Sequence, residues 1–591
     1  MIKTKILEKI NDPIDVKQLL LNEMNDLAQE IREAILARVN TIGGHLGPDL
    51  GIVEATIAMH YVFNSPVDKV VFDVSHQCYP HKILTGRKDG FINSDKYSSI
   101  SGYTNPQESE HDIFTVGHTS TSVSLATGLA KARDIKKEDG NIIALIGDGS
   151  LSGGEAYEGL NNAAELDSNF IVIVNDNEMS IAENHGGLYK NLELLRGTNG
   201  KAELNFFRTL GFDYYYVEEG NNVEALIDTF KKVKDIKHPV VVHIHTVKGK
   251  GLEAAEQNKE LYHYLLPGML DVQSESLIQS KDETYNSVTT DFILDKQKSD
   301  PTIVAISPAT PGATGFSQEF RNALGANYID VGIAEEHSIA YASGIAKNGG
   351  KPILAIISSF VQRTYDQLSQ DLALNNSPAT ILVYWGSISG MDATHLGIFD
   401  IPLISNIPNI VYLAPTNKEE YLAMLNWSVE QTQYPTAIRV PFGELISTGI
   451  EDKTDYSILN KYKVEQEGDT VAIIALGNFF KLGEQVKRKL SEKFGINATL
   501  INPKYISGID EELLNSLKTR HHVVITLEDG VLNGGFGEKI TRFYGTSEMK
   551  VLNFGAKKEF TDKVPLEILY DRYHLTKELI VEDIMDCLSQ Q

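Results

Sequence analysis

Two short apolar runs, each ending in a polar turn, constrain this chain more than any other feature. Residues 141–146 run into Gly147, Asp148, Gly149 and Ser150, and after a helix-length interval residues 170–174 run into Asn175, Asp176 and Asn177. The pattern reads as strand, helix, strand in a parallel sheet. Ligands of such sheets collect beyond the carboxyl ends of the strands, where Asp148 and Asn177 both fall. An aspartate and an asparagine from neighbouring strand ends offer hard oxygen ligands to a magnesium ion that keeps further positions for diphosphate oxygens and water. Gly147 and Gly149 let the backbone come close to that diphosphate. A lone Gly-Asp-Gly is most often a simple turn. A second polar strand end, at Asn177, is what favours a ligand site over a simple turn. A nicotinamide crevice is the rival, but residues 147–152 lack the third glycine of that fingerprint.

A chain of 591 residues holds three or four domains at about 150 residues each. The formal charge of -26 repels nucleic acid and anionic membranes, so neither is an expected partner. No run of about 18 apolar residues suggests a membrane span. The first ten residues mix charge with apolar residues at helical spacing, unlike a secretory signal, and the expected compartment is the cytoplasm. Cys78 and Cys587 are the two cysteines, which encodes neither a disulfide framework nor a thiolate metal site.

In chain order, helical periodicity runs from about Asp15 to Arg38 and is broken by a glycine-rich loop, Gly43 to Gly51, that carries His45. A strand beginning at Lys69 runs into His76 and His81, and no third zinc-type ligand is near, so hydrogen bonding or proton transfer suits them better than metal binding. Gly117, His118, Thr119 and Ser120 precede a helix from Val123 to Asp134, where hydroxyls and N–H groups hold a phosphate or cap the helix. Residues 270–300 read as a polar linker. Short strands alternating with helices follow, starting at Thr302, Ile329, Lys351, Ala379, Asn409 and Thr436, and a third α/β set begins near Gly468 with strands at Thr470 and His522.

The loop Gly43 to Gly47, the segment Asp73 to Arg87, the Gly117 to Ser122 element and Asn175 to Ile181 together resemble 1-deoxy-D-xylulose-5-phosphate synthases, in order and nearly in spacing. The resemblance implies thiamine diphosphate and Mg2+ as cofactors, pyruvate and an aldehyde as substrates, and a homodimer. It implies three α/β domains: a diphosphate-binding domain over 1–285, an aminopyrimidine-binding domain over 298–450 and a transketolase C-terminal-like domain over 460–591. Asp148, Asn177 and the carbonyl of Met179 would hold the metal. His76, Gly117, His118, Thr119, Gly147, Asp148, Gly149, Ser150, Asn177, Met179 and Lys248 would line the cofactor site. In the second domain, Val331 to His337 looks like the family's glutamate motif, making Glu335 the group that tunes the aminopyrimidine ring, although an acidic residue at this position also suits a helix start. Phe360 offers a stacking surface to the pyrimidine and Arg363 lies in the same element. His45, His263, Asp392 and His395 would meet substrate, with Glu335, His45, His76 and His395 as the catalytic set. A transketolase-like transfer without loss of carbon dioxide and a non-catalytic relative of the same fold are the alternatives.

Two departures accompany the resemblance. Between Gly187 and Phe212 the chain is much shorter than the family's mobile insertion. Where the family places arginines and a tyrosine for the acceptor phosphate, this chain has Trp385, Phe442 and Ile357. Arginine binds phosphate through a planar fork of charge-assisted hydrogen bonds. Rings cannot, so the acceptor is expected to be less charged or differently shaped than glyceraldehyde 3-phosphate.

Overall fold

The computed structural model describes residues 5–271 and 283–590. The chain forms two compact units, one comprising residues up to Lys281 with the tripeptide Gly332–Ala334, the other comprising the rest.

The first unit is built on five parallel strands: β1 (Lys69–Phe72), β2 (Ile142–Gly147), β3 (Phe170–Asp176), β4 (Asp213–Val217) and β5 (Pro239–His245), in the spatial order β1-β2-β3-β5-β4. Alternate side chains of one strand enter different cores. Ile143, Leu145, Ile171, Ile173, Val240 and Val242 pack with the helices Leu21–Ile42 and Val53–Val62, while Ile142, Ala144, Ile146, Val172, Val174 and Val241 pack on the other face. Burial on both faces is why these strands read as continuous apolar runs. The helical stretch expected from Asp15 to Arg38 is two helices, Pro13–Val16 and Leu21–Ile42, and the second ends at Gly43, whose φ of 77° a side chain would resist.

The second unit holds two sheets. Six parallel strands make the first: β6 (Ile303–Ser307), β7 (Tyr328–Asp330), β8 (Lys351–Ile357), β9 (Thr380–Tyr384), β10 (Val411–Leu413) and β11 (Thr436–Val440), ordered β10-β11-β9-β8-β6-β7. The second is mixed: β12 (Lys463–Gln466) joins antiparallel to β14 (Thr499–Asn502), followed by β13 (Thr470–Ala475), β15 (His521–Val531) and β16 (Lys550–Ala556), all parallel. One core is common to both sheets, with Leu354, Ile356 and Val383 from the first and Ile474, Ile501 and Val524 from the second. The architecture is thus α/β with three sheet domains.

The expected linker over 270–300 is corrected in its second half. Tyr285–Ser299 is a helix started by a Thr284–Ser287 capping box, and it buries Tyr285, Val288 and Ile293 against β6 and β8. Residues 272–282 of that stretch lie outside the described residues.

His81, expected at a strand end beside His76, is instead a core residue, 1 % exposed. Its Nε2 meets Asp112 Oδ1 at 3.0 Å and its Nδ1 meets His60 Nε2 at 2.9 Å, while Arg87 pairs with both oxygens of Asp112. Asp112 needs a donor, so His81 carries its proton on Nε2 and accepts from His60 on Nδ1. Burial pushes His60 and His81 below the ordinary histidine range. Unfolding at mildly acidic pH therefore takes up protons, and stability present above about pH 6.5 is lost as pH falls through it. His60→Gln removes one such site. In urea denaturation followed by circular dichroism, the variant should lose stability less steeply than the parent between pH 6.5 and 5, by up to about 1.4 kcal/mol per pH unit. Parallel pH profiles would contradict this.

Candidate active site

In the first unit, strand register sets Gly147 opposite Asn175, so the two polar turns leave the sheet side by side. The Asp148 N–H donates to the Asn175 carbonyl at 3.1 Å. Asp148 and Asn177 are both buried. Asn184 Nδ2 donates to Asp148 Oδ2 at 2.6 Å. Burial, and after it the Asp176 carboxylate, push Asp148 up to about 7. Asn177 Oδ1 is buried and accepts no hydrogen bond from the protein. A desolvated carboxylate and a buried acceptor without a donor are both costly, and a divalent cation would satisfy both, so the residues fit the magnesium implied by the resemblance. A Cβ at Gly149 would meet Ser180 Cα at 2.9 Å, leaving backbone alone at this turn.

Asp176 behaves oppositely to Asp148. Burial pushes it upward, but His243 Nε2 at 2.9 Å and Arg196 Nη1 at 2.5 Å hold it below the usual carboxylate range. Lys248 Nζ donates to the Ser180 carbonyl at 2.6 Å, and burial brings its ammonium down to about 7. The turn that carries Gly117, His118 and Thr119 is pinned from two sides: Asp73 accepts from the N–H groups of Ser120 and Ser122 at 2.8 and 3.0 Å, and Ser120 Oγ donates to the Ser150 carbonyl at 2.8 Å. Thus the Gly117–Thr119 turn and the Gly147–Ser150 turn are neighbours. The Met179 backbone takes part in an isolated antiparallel bridge with Glu183.

A two-residue antiparallel pairing of Gly44–His45 with Tyr264–Leu265 gathers the histidines. His45, His76 and His263 pack with ring centroids 5.2–5.5 Å apart. Burial, then the Lys248 charge, lowers His76 to about 3, and the same causes take His263 well below its ordinary range. Both are neutral at physiological pH, so they can donate or accept a hydrogen bond without adding charge.

The second unit contributes a separate cluster. Glu335 opens the helix Glu335–Lys347 and is 3 % exposed. Its Oε2 accepts no hydrogen bond, and the Arg363 guanidinium stands 3.7 Å from it, at ion-pair range. Burial raises Glu335, with Arg363 opposing. A buried carboxyl of raised pKa, with one oxygen accepting no hydrogen bond, is suited to a ring nitrogen that shares a proton with it. The Phe360 ring lies 5.5 Å from that of His395, whose Nδ1 is 3.1 Å from Asp392 Oδ1. Burial pushes Asp392 upward, but its hydrogen bond and charge interaction with His395 hold it well below the carboxylate range. With Nδ1–H directed at Asp392, Nε2 is the lone-pair nitrogen of His395.

At the carboxyl ends of β8, β9 and β11 stand Ile357, Trp385 and Phe442. Ile357 is buried, and the Trp385 and Phe442 rings meet edge to face with centroids 5.8 Å apart. Trp385 has a φ of 61°, unusual for a bulky residue. The nearby Arg439 is occupied: Nε and Nη2 pair with Asp400 at 2.7 and 3.2 Å, and Nη2 also donates to the carbonyls of Asp529 and Gly397.

Several residues of these clusters carry no expectation from the sequence. Asn184 and Lys259, whose Nζ donates to the Asn177 carbonyl at 3.2 Å, lie in loops without periodicity and are found by folding alone. Asp73 had a readable signal, an aspartate closing a strand. Among the described residues no group of three or more His, Cys, Asp or Glu side chains forms a metal site.

Three family models match the chain: 1-deoxy-D-xylulose-5-phosphate synthase over residues 7–205 and 198–246, the transketolase pyrimidine-binding domain over 284–446, and the transketolase C-terminal domain over 460–580. Among curated proteins, the 1-deoxy-D-xylulose-5-phosphate synthase of Halothermothrix orenii is 36 % identical over 99 % of this chain and 98 % of its own length. That of Caldanaerobacter subterraneus is 37 % identical over 98 % and 99 %. That of Clostridium tetani is 36 % identical over 98 % and 99 %. Identity at this level, sustained from one end of both chains to the other, places the protein in the 1-deoxy-D-xylulose-5-phosphate synthase family.

Proposed function

We propose that this protein is a thiamine-diphosphate- and magnesium-dependent carboligase that releases carbon dioxide from pyruvate and joins the remaining two carbons to an aldehyde. The observation that carries the reading is the pair of buried oxygens at neighbouring strand ends, Asp148 and Asn177 Oδ1, the second accepting no hydrogen bond. When bound, thiamine diphosphate supplies a nucleophilic carbon able to add to a 2-oxo acid and then to an aldehyde.

The chain's own residues do the rest. Asp148, Asn177 Oδ1 and the Met179 carbonyl hold the magnesium. Gly147, Gly149 and Ser150, with Gly117, His118 and Thr119, form the diphosphate cradle, and Lys248 adds charge toward it. Glu335 holds a proton at its carboxyl and shares it with the aminopyrimidine, Arg363 orients that carboxyl, and Phe360 offers a ring face. His45, His76 and His263 position the substrates, the latter two as neutral imidazoles. His395 accepts or returns a proton at Nε2, with Asp392 fixing its tautomer. The domain assignment is diphosphate binding over 1–285, aminopyrimidine binding over 298–450 and a transketolase C-terminal-like domain over 460–591. A homodimer in the cytoplasm completes the proposal. Among the described residues no helix is long and apolar enough to cross a membrane.

Pyruvate labelled at its carboxyl carbon, supplied with an aldehyde, should release labelled carbon dioxide in step with ketose formation, and only when thiamine diphosphate and Mg2+ are present. Transfer from a ketose with no release from pyruvate would point to transketolase chemistry instead. Glu335→Gln should lower kcat by about 100-fold or more while changing cofactor affinity by only a few-fold, the signature of lost proton transfer. Asp148→Asn should abolish the dependence of cofactor binding on Mg2+ in calorimetric titration.

Trp385, Phe442 and Ile357 offer no fork to an acceptor phosphate, and Arg439 is engaged by Asp400. Two lost hydrogen bonds to a charged group, at about 1.5–3 kcal/mol each, weaken phosphate binding by a hundredfold or more. D-Glyceraldehyde should therefore approach or exceed its 3-phosphate in kcat/KM. A strong preference for the phosphate would overturn this.

A further inference from the structure

The third sheet carries no candidate catalytic side chain, yet it is bound to the loop that does. Residues 386–399 leave β9 after Trp385 and bear Asp392 and His395. Their apolar members do not pack into the core of their own sheet. Ile388, Leu396 and Ile398 are at most 5 % exposed and belong to the same core as Ile473, Leu500, Ile525 and Leu527, from β13, β14 and β15.

Polar contacts follow the same pattern. Asp529, on β15, accepts from the Ile388 N–H at 2.7 Å through Oδ1, while Asn478 Nδ2 holds its Oδ2 at 2.7 Å. The Asp562 carboxylate accepts from the Ala393 N–H at 3.2 Å, and the Lys563 N–H donates to the Met391 carbonyl at 3.0 Å. At the far end of the loop, the Val531 N–H donates to the Ile398 carbonyl at 3.0 Å. Asp392 and His395 thus lie between anchors on both sides, and every one of these anchors comes from the third sheet or the segments flanking it. Arg439 completes the arrangement from β11, donating to the Gly397 and Asp529 carbonyls at 3.2 and 2.7 Å. There is no slack at this junction: a Cβ at Gly397 would meet the Trp385 carbonyl at 1.9 Å, and one at Gly530 would meet Ile401 Cδ1 at 2.7 Å.

We infer that Asp529 and Asp562 are positioning residues, through which the third domain holds the Asp392–His395 pair in its working geometry. The inference rests on the proton-transfer role proposed above for His395. Loops are the most mobile parts of a fold, and a small displacement of a proton-transfer group costs rate out of proportion to the distance. A loop with five backbone groups tied down, four of them to a domain without chemistry of its own, is held against that displacement. Asp529 is buried and Asp562 is exposed, so the two anchors can be removed with very different risk to the fold.

The test is a double-mutant cycle in the full-length enzyme, saturated with thiamine diphosphate and Mg2+, with pyruvate as donor and both D-glyceraldehyde and its 3-phosphate as acceptors. Asp529→Ala should lower kcat/KM for the better acceptor at least tenfold and Asp562→Ala about threefold, with cofactor affinity unchanged within twofold. Amide exchange over 388–398 should accelerate in both. In a His395→Ala background neither substitution should lower activity further, because the anchors act through that ring. Losses that simply multiply in the double variants, or an Asp562→Ala enzyme with faster loop exchange and full activity, would overturn the inference. Full activity of His395→Ala alone would remove the role proposed for His395, and the clamp with it. A loss in His395→Ala with none in either anchor variant would remove the clamp only.

Discussion

The structure depends on polar groups that the fold has taken out of water and compensated only in part. Parallel strands buried on both faces expose only their ends, and at the carboxyl ends of β2 and β3 those ends carry Asp148 and Asn177. Burial raises the first to about 7 and leaves the Oδ1 of the second with no donor. Neither state is favourable in isolation. Glu335 repeats the arrangement in the second unit, a desolvated carboxyl with Oε2 unsatisfied. Sites that sacrifice stability in this way are expected where a charged ligand restores what burial removed. Asp176 is the contrast: equally hidden from solvent, it is fully compensated by His243 and Arg196, and it belongs to the framework that supports Asn177.

Much of this was legible in the sequence because burial on two faces writes an uninterrupted apolar run. Residues 351–357 and 436–440 become strands with the bounds the sequence implies. Asp148 and Asn177 were legible because they close such runs. His76 and His81 show where that logic stops. Five residues apart after one strand, one joins the cluster with His45 and His263 and the other enters the core against Asp112, a difference decided by the turn between them. The helix Tyr285–Ser299 is rich in Ser, Thr and Asp and has little amphipathic contrast, so its polar composition reads as linker. Asn184, Lys259 and Asp529 act across space from segments whose local sequence carries no trace of their partners.

The domains also prove less separable than the order of motifs implies. One core spans the second and third sheets, and three apolar residues of a second-domain loop lie in the third domain's own core. Isolated residues such as Ile388, Leu396 and Ile398 have no periodicity to announce where they pack. The departures at Ile357, Trp385 and Phe442 stand on the same strand ends as the rest of the cluster, so specificity can shift there while Glu335 and Arg363 keep their relation.

A crystal structure of the protein grown with thiamine diphosphate and Mg2+ tests the central claim most directly. The account predicts a single metal ion bonded to Asp148, Asn177 Oδ1 and the Met179 carbonyl and to the cofactor diphosphate, with the Glu335 carboxyl within hydrogen-bond distance of the aminopyrimidine of the same cofactor molecule. A metal held elsewhere, or a pyrimidine ring that no Glu335 carboxyl reaches, would contradict it.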